Sequence, residues 1–494
     1  MSKPNCAAPA VLCFLVVLLL VFGAFSRVVA ASINREADII GSAASDCPPD
    51  GSCEVYLPLV SLHSNSGPLP TIHIPYFDGE ISYPETAVFW FGKVNLTENY
   101  ADVRAGYSSD ELYINLGIFD RRIWYNKFPT LSELSSWDAV SIYLDTQGLK
   151  GSKPSESSYL IQGQFGTTGP RASYQAAYRG TGTGWAASIV PFTSTTGYRG
   201  DGPNNQGNDA GWEIVFHIPF SSLGLDGPPH SDSWAMAVVL HDRDDIALPP
   251  EAEKMWPTGI SQTSPVTWGE ITFGLPSIAA PGINPGGTTI IRQGLNGATV
   301  KDGMAGGFAN CGSGLNRWTA WGEANYAASH QVNVQNQRDV ADFPCFSKYF
   351  IDIPLEAIPS GAQIISAELT LNLFSNAGEG EYTTPGPSLI QAFTILGDWD
   401  ESTLNWNNAP QVLENLSSTW VDPILTEVPP PPGIANTWNV SKAAMEARSR
   451  GMPLRLALYS ADSQQHSGKY FYASDTGDWN AAGRPTLTVV WGYP

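Results

Sequence analysis

The clearest structural signal in the chain is Glu111-Leu112-Tyr113-Ile114-Asn115-Leu116-Gly117-Ile118-Phe119. Large apolar side chains occupy every second position of this stretch, at Leu112, Ile114, Leu116 and Ile118. Successive side chains of a β-strand point to opposite faces, so a period of two predicts a strand with one face on a core. The stretch therefore indicates β-structure rather than an amphipathic helix.

The same alternation recurs on both sides of a segment rich in Pro and Gly, residues 275–287, which has the composition of a linker. We call residues 71–274 the first block and residues 288–494 the second block. The sequence predicts an all-β protein in which two β-sandwich, jelly-roll-like domains are joined by this linker. Alternating runs lie at residues 140–144, 214–220, 234–240, 369–373, 454–458 and 487–491.

Two segments differ from this pattern. Residues 31–70 are polar and rich in Ser, Gly and Pro, which predicts a disordered tether. Residues 442–450 favour one short helix, which Asn439 or Ser441 can cap and Gly451 can stop. No long amphipathic helix is predicted.

Composition and charge exclude one class of partner. The chain of 494 residues contains 48 Gly, 38 Pro and 16 Trp, and only 15% of its residues are charged, against about 25% in typical proteins. The net charge is −21. An acidic chain with few cations cannot replace the counterions of phosphates, so we expect no binding to nucleic acid.

The N-terminus indicates export. Residues 1–30 combine Lys3, an apolar run from Val11 to Phe25 and the small-residue pattern of Val28 and Ala30, as in a cleaved signal peptide. An uncleaved anchor is the alternative, although the run is shorter than the roughly 20 residues of a membrane span. We expect a secreted or cell-surface protein without a membrane span after cleavage.

The remaining cysteines fit an oxidising compartment. Exported chains with an even number of locally spaced cysteines commonly form disulfides. A four-cysteine metal site is the alternative, but neither pair has the spacing of a zinc knuckle. The predicted pairs are Cys47 with Cys53 and Cys311 with Cys345.

Motifs of the common catalytic sites are absent from the sequence. The chain has no nucleophile elbow, zinc-protease helix motif or P-loop. Glycoside hydrolysis requires two carboxyl groups across a cleft, and the candidates are Asp242 with Asp244 and Asp400 with Glu401. Adjacent acids in a loop also fit a solvated turn or a cation site, so we predict a non-catalytic protein.

Aromatic residues near loops and strand ends are the candidate ligand-binding residues. An indole face can stack on the C–H face of a sugar while polar side chains bind the hydroxyls. Many Trp residues of β-sandwiches are core residues instead, and Trp212 and Trp234 are expected in the core. The candidates are Trp124, Trp185, Trp256 and Arg122 in the first block and Trp318, Trp321, Tyr382 and Trp479 in the second block.

Calcium is the possible cofactor. Loop carboxylates supply the oxygen ligands that this hard cation prefers. The candidate ligands are Asp145, Asp242 and Asp244.

An ordered set of short motifs runs through the first block. It comprises Phe77-Asp78-Gly79, residues 101–107, 110–114, 137–145 and 211–214, Ile218-Pro219-Phe220 and residues 268–274. By these motifs residues 71–274 resemble the family 9 carbohydrate-binding modules and their DOMON-like relatives. The resemblance implies a β-sandwich, and the sugar-binding members of the family hold their ligand between two aromatic residues.

The second block carries its own set of motifs. They are residues 349–354 and 358–362, residues 365–371, Arg484 to Val489, and the most distinctive one, Trp399-Asp400-Glu401-Ser402-Thr403-Leu404-Asn405-Trp406. By these motifs residues 288–494 resemble a DNRLRE domain, similar to carbohydrate-binding module family 96. The resemblance implies a jelly-roll-like sandwich and, in some members, binding of acidic polysaccharides, which the negative charge of this chain disfavours.

The leading hypothesis is an exported, non-catalytic protein that binds a polysaccharide or a cell-surface glycan. A structural or adhesive cell-surface protein with degenerate binding faces is the first alternative. A polysaccharide-degrading enzyme is the second. The identity of the glycan, the number of binding domains and the oligomeric state stay open at this point.

Overall fold

The fold is nearly all β, as predicted. The computed structural model describes residues 68–229, 233–307, 315–337, 340, 345–377, 385–425, 427–462 and 467–494. Within these ranges the chain forms 24 β-strands and one α-helix. The predicted signal peptide and residues 31–67 of the predicted tether lie outside the described residues.

The first block contributes thirteen strands. They are β1 (Thr71–Ile74), β2 (Ala87–Gly92), β3 (Tyr100–Tyr107), β4 (Glu111–Phe119), β5 (Ala139–Asp145), β6 (Ser158–Gln164), β7 (Gln175–Gly180), β8 (Trp185–Ala187), β9 (Thr193–Gly200), β10 (Asp209–Pro219), β11 (Ser233–His241), β12 (Lys254–Trp256) and β13 (Gly269–Phe273).

The second block contributes the remaining strands and the helix α1 (Ser441–Ser449). The strands are β14 (Gly287–Arg292), β15 (Lys301–Gly306), β16 (Gln331–Val334), β17 (Ser347–Ile353), β18 (Gln363–Asn376), β19 (Ser388–Ile395), β20 (Val412–Val421), β21 (Ile434–Asn439), β22 (Leu454–Ser460), β23 (Lys469–Tyr472) and β24 (Thr486–Gly492).

The predicted helix is present. The backbone N–H of Ser441 donates to Asn439 Oδ1 over 3.0 Å at its start, and Gly451 adopts a left-handed φ of 65° just beyond its end. Within the described ranges no helix has the length and hydropathy required to cross a membrane.

The strands assemble into two sandwiches that share a sheet. A five-stranded sheet, β2-β3-β4-β10-β9, covers one half of a thirteen-stranded sheet, and a six-stranded sheet built around β18 and β24 belongs to the second block. The thirteen-stranded sheet runs β15-β17-β22-β19-β20-β1-β13-β11-β5-β6-β7-β8, with β12 added beside β11. The parallel contact of β1 with both β13 and β20 joins the blocks within this sheet.

The amide side chain of Asn415 reinforces this junction. Its Oδ1 accepts the backbone N–H of His73 over 2.7 Å, and its Nδ2 donates to the carbonyl of His73 over 2.8 Å. The side chain thus makes both hydrogen bonds that a neighbouring strand would make. His73 also pairs with Glu414 over 2.6 Å.

The inward faces of the predicted strands form the core. Leu112, Ile114, Leu116 and Ile118 of β4 are all fully buried. One continuous apolar cluster contains these residues together with side chains of the second block, among them Phe350, Phe393 and Trp406. Residues 66–494 accordingly form one compact unit.

The boundary between the blocks, which we call the seam, is dense in aromatic rings. Trp90 of β2 contacts Phe393 and Tyr459 edge-on, each at a centroid distance of 5.6 Å. Tyr100 of β3 packs on Trp406 at 4.9 Å. Sequence patterns predicted both sandwiches and the linker, but they carry no information about this contact between distant segments.

A polar network lies inside the seam. Asp102 of β3, only 1% exposed, accepts hydrogen bonds from Tyr100 Oη (2.6 Å) and from Tyr459 Oη (2.7 Å). Asn336 Nδ2 donates to the same carboxylate over 3.1 Å, and Asn336 Oδ1 accepts from the buried Arg104 over 2.8 Å. The carboxylate therefore connects β3 of the first block with two segments of the second.

Lys348 of β17 completes this network. Its Nζ donates to Tyr100 Oη and lies 3.3 Å from the ring centroid of Trp406 and within 4.8 Å of those of Trp90 and Tyr459. Burial lowers the pKa of Lys348 well below its usual range, and Asp102 offsets part of that change. The surrounding rings and the Asp102 carboxylate offset part of the cost of burying this amine.

We predict that Asp102→Ala lowers the free energy of unfolding by about 3–5 kcal/mol, because it leaves the buried donors of Tyr100, Tyr459 and Asn336 without their acceptor and removes a negative charge near the buried Arg104. Urea-induced unfolding of the full chain measures this change. The matched control is Glu80→Ala at an exposed position, which we expect to alter stability by less than about 0.5 kcal/mol. Equal effects of the two variants would contradict the role given to Asp102.

Candidate functional site

Four of the predicted ligand-binding Trp residues lie in the core. Trp256 packs on Phe89 at a centroid distance of 4.3 Å, and Trp321 packs on Trp406 at 4.9 Å. Their rings fill space at or near the seam, which the sequence could not reveal, so their faces are not available for stacking on a ligand. The buried residues, with their exposed fractions, are Trp256 (0%), Trp321 (1%), Trp318 (6%) and Trp124 (8%).

The remaining predictions for the first block have different surroundings. Trp185 on β8 is half-buried, stacks parallel to Trp268 at 6.5 Å and donates its Nε1 hydrogen to the carbonyl of Gln262 over 3.3 Å. Arg122 lies next to a cluster of carboxylates rather than next to an aromatic face. In the second block, Tyr382 falls outside the described residues.

Trp479 differs from the other candidates because 70% of its surface is exposed. Tyr472 contacts its ring edge-on at 6.1 Å, and Phe374 stacks on Tyr472 at 4.6 Å. We call Phe374, Tyr472 and Trp479 the Trp479 platform. Tyr472 and Phe374 are half-buried, so the three rings form an aromatic surface that solvent reaches.

The strand pairing explains how this platform forms. β18 and β23 are antiparallel neighbours, and Leu373 and Phe471 on them point into the core. The next residue on each strand, Phe374 and Tyr472, therefore points outward on the same face. Alternation along residues 470–472 could have predicted Tyr472, whereas its partner required knowledge of the pairing.

Glycine and an ion pair hold Trp479 in place. A Cβ atom at Gly477 would lie 2.9 Å from Cδ1 of Trp479, so a side chain at this position would displace the ring. Asp478 pairs with Arg484 over 2.7 Å directly beside it. A charged, hydrogen-bonding rim thus borders the aromatic surface.

A second group of functional side chains is a carboxylate cluster in the first block, formed by Asp120, Asp138 and Asp242. Their oxygens lie within 4.8 Å of one another, and all three residues are buried. Asp120 follows β4, Asp138 precedes β5 and Asp242 follows β11. The register of Ala139 with His241 places Asp138 beside Asp242.

Hydrogen bonds satisfy only some of the carboxyl oxygens in this cluster. Asp120 accepts from the backbone N–H of Arg122 (2.8 Å) and from Trp212 Nε1 (3.1 Å). Asp138 accepts from the backbone N–H groups of Trp124 (2.5 Å) and Arg243 (2.8 Å). Oδ1 of Asp242, by contrast, is buried and makes no hydrogen bond of ordinary geometry.

Burial and mutual repulsion raise the pKa of all three groups. Burial, followed by the neighbouring Asp242, raises the pKa of Asp120 well above its usual range, and burial with Asp120 does the same for Asp138. Burial, followed by Asp244, raises the pKa of Asp242 to about 8. A bound cation would favour the ionised form of these carboxyls, and an all-oxygen set suits a hard cation such as Ca²⁺.

The structure places the three predicted calcium ligands in different surroundings. Asp145 stands at the far end of β5, six residues from Ala139 and roughly 20 Å away. Its carboxylate accepts hydrogen bonds from Ser158 (2.5 Å) and Ser157 (3.0 Å). Asp242 belongs to the cluster, and Asp244 borders it. Asp120 and Asp138 were missed, although acids at strand ends are the signal that could have found them.

A third feature is a cleft of about 510 Å³ in the second block, lined by Lys301, Trp399, Asp400, Glu401 and Asp475 among others. Burial, followed by the charges of Asp302 and Asp475, raises the pKa of Glu401 to about 7. Hydrogen bonds from Ser402 lower the pKa of Asp400 instead. The pKa values of the predicted pair are thus displaced in opposite directions.

The predicted disulfides stay predictions. Cys345 is buried, at 2% exposure, whereas Cys47, Cys53 and Cys311 lie outside the described residues.

Comparison with known proteins yields similarity to part of the chain. No family model and no curated protein matches it significantly. A carbohydrate binding module family 9 from Caldicellulosiruptor kristjanssonii in complex with cellotriose is 17% identical, with coverage of 44% of this chain and 100% of the module and a TM-score of 0.30. The same kind of module in complex with glucose is 16% identical, with 43% and 100% coverage and a TM-score of 0.30. The similarity of this chain to these modules is therefore distant.

The carboxylate cluster predicts a specific pH dependence in the presence of a chelator. A carboxyl with a raised pKa in the folded state holds its proton more tightly than in the unfolded chain, so stability falls as pH rises from about 4 to about 8. Ca²⁺ at pH 8 should restore the lost stability, because a bound cation replaces the protons. Thermal unfolding with EDTA and with Ca²⁺ at several pH values measures both effects.

Asp242→Asn should flatten this dependence and reduce the response to Ca²⁺, whereas Asp226→Asn, at an exposed position, serves as the matched control. A stability that rises with pH in EDTA, or an unchanged response in Asp242→Asn, would contradict the assignment.

Proposed function

We propose that this chain is an exported, non-catalytic protein that binds carbohydrate through the Trp479 platform. The observation that carries the proposal is the 70% exposure of the Trp479 ring within a surface of three contacting aromatics. Exposing a large indole to water is unfavourable, so a face of this kind is typical of a binding surface. The signal-like N-terminus supports export.

Carbohydrate fits this surface better than a purely apolar partner does. Sugar rings present C–H faces that stack on indole, while their hydroxyls require polar groups at the rim. Asp478, whose side chain is 96% exposed, and its partner Arg484 supply such groups beside Trp479. The platform lies open on the surface, so it suits the side of a polysaccharide chain.

The charge of the protein favours a neutral glycan. A net charge of −21 repels polyanions over distances up to about 10 Å at moderate salt. The acidic ligands implied by the resemblance of the second block would have to overcome this repulsion. We therefore propose neutral polysaccharides or cell-surface glycans as the ligand class.

We also propose that Asp120, Asp138 and Asp242 hold a structural Ca²⁺ ion. The unmet hydrogen-bonding capacity of Asp242 Oδ1 supports this role. The ion would join β4, β5 and β11 at one end of the first sandwich. It would contribute to stability and not contact the glycan at the Trp479 platform.

We predict that Trp479→Ala weakens binding to a neutral polysaccharide by about 2 kcal/mol, roughly thirty-fold, because the stacking surface is lost. Affinity electrophoresis or isothermal titration calorimetry with the full chain measures the loss. Stability should change little, since the ring is mostly exposed.

Trp420→Ala is the control variant, because Trp420 on β20 is also exposed, at 45%, but lies outside the platform. It should retain binding. If no polysaccharide or glycan binds the folded wild type, the structural or adhesive alternative is favoured. If both variants bind like the wild type, the platform is not the site.

The cleft with Glu401 supports a second candidate function, cleavage of a polysaccharide, because its two carboxyls have pKa values displaced in opposite directions. Our proposal predicts no release of reducing ends from mixed polysaccharides at pH 5–7. The wild type would be an enzyme instead if it released reducing ends, if Glu401→Gln abolished this release, and if the exposed-site variant Glu80→Gln retained it.

A further inference from the structure

A groove opens at the seam, directly beside the network of Asp102 and Lys348. We call it the seam groove. Its volume is about 410 Å³, and its walls include Trp90, Tyr100, Lys93 and Lys254 of the first block with Trp406 and Gln411 of the second. None of its lining residues belongs to the Trp479 platform or to the carboxylate cluster.

The floor of the seam groove is aromatic and fixed in position. Trp90, Tyr100 and Trp406 are each at most 2% exposed, so these rings shape the floor of the groove and present no open face for stacking. Trp90 donates its Nε1 hydrogen to the carbonyl of Pro410 over 3.2 Å, which sets its orientation. The Nε1 group of Trp406 is buried and has no acceptor among the described residues, and a bound water or ligand commonly satisfies such a donor.

Hydrogen-bond donors with spare capacity border this floor. Gln411 accepts from Thr258 Oγ1 over 3.2 Å through Oε1, while its Nε2 makes no hydrogen bond to the described residues. Lys93 is exposed and forms no ion pair within the described ranges. A ligand rich in acceptor oxygens would satisfy these groups.

The charges of the groove cancel. Lys254 pairs with Glu98 over 3.4 Å, and the other charged lining residues are Lys93 and Glu253. Two cations and two anions give no net attraction for a charged ligand. Balanced charge and hydrogen-bond donors with spare capacity are suited to an uncharged polyhydroxylated ligand.

We propose that the seam groove is a second carbohydrate site, which binds one or two units of a neutral oligosaccharide. Its volume is near the lower end of the range of small-molecule sites, roughly 300–1,000 Å³, which suits a short oligosaccharide better than a long chain. The inference rests on the proposed function and extends it to a site shared by both blocks. The platform would contact polysaccharide laterally, whereas the groove takes a short saccharide.

The test uses the full chain and titration calorimetry with neutral disaccharides, namely cellobiose, maltose and lactose, and with digalacturonate as the anionic probe. We expect one neutral disaccharide to bind, and Gln411→Ala and Lys93→Ala each to weaken it at least about tenfold. Trp479→Ala should leave this binding unchanged. Unfolding midpoints verify that the variants are folded.

Three results would overturn the inference: no neutral disaccharide bound at millimolar concentration, unchanged affinity in both groove variants, or preference for digalacturonate. Loss of disaccharide binding in Trp479→Ala would also overturn it, because the saccharide would then occupy the platform. If polysaccharide binds in a way that depends on Trp479 but no disaccharide binds, only the proposal for the seam groove is refuted. Absence of both kinds of binding refutes the proposed function as well.

Discussion

The buried carboxylate of Asp102 is the interaction on which the architecture depends. It receives hydrogen bonds from Tyr100 of the first block and from Tyr459 and Asn336 of the second. A carboxylate at 1% exposure is stable only when such partners surround it, and here both blocks must supply them. The aromatic rings around Lys348 pack against this network and extend the contact into a shared apolar core.

The contact between the two blocks determines where the seam groove lies, whereas the Trp479 platform and the carboxylate cluster use parts of the sheets outside this contact. The seam requires rings from β2 and β3 to meet the segment around Trp406, and the groove is the space left at the edge of that contact. The Trp479 platform instead uses the outward face of β18 and β23, which the core does not need. The carboxylate cluster uses strand ends, where side chains leave the sheet and approach one another.

Much of the fold could be predicted from the sequence, because strand alternation is local. The apolar positions of β4 are buried as expected, and the short helix ends at Ser449, two residues before Gly451. The functional residues were harder to predict, because a Trp near a loop can be covered by a segment that is distant in the sequence. Phe89 packs on Trp256 and Trp406 packs on Trp321, whereas Trp479 stays 70% exposed. Asp120 and Asp138 approach Asp242 only through strand pairing and sheet stacking, which a single sequence does not specify.

The seam network should make the two blocks unfold as one cooperative unit. Native-state hydrogen exchange of the full chain, followed by mass spectrometry across a urea series, tests it most directly. We expect the amides of β4 in the first block and of β17 in the second to open with the same free energy and the same dependence on urea. Two separate openings, with one block exchanging while the other stays protected, would contradict it.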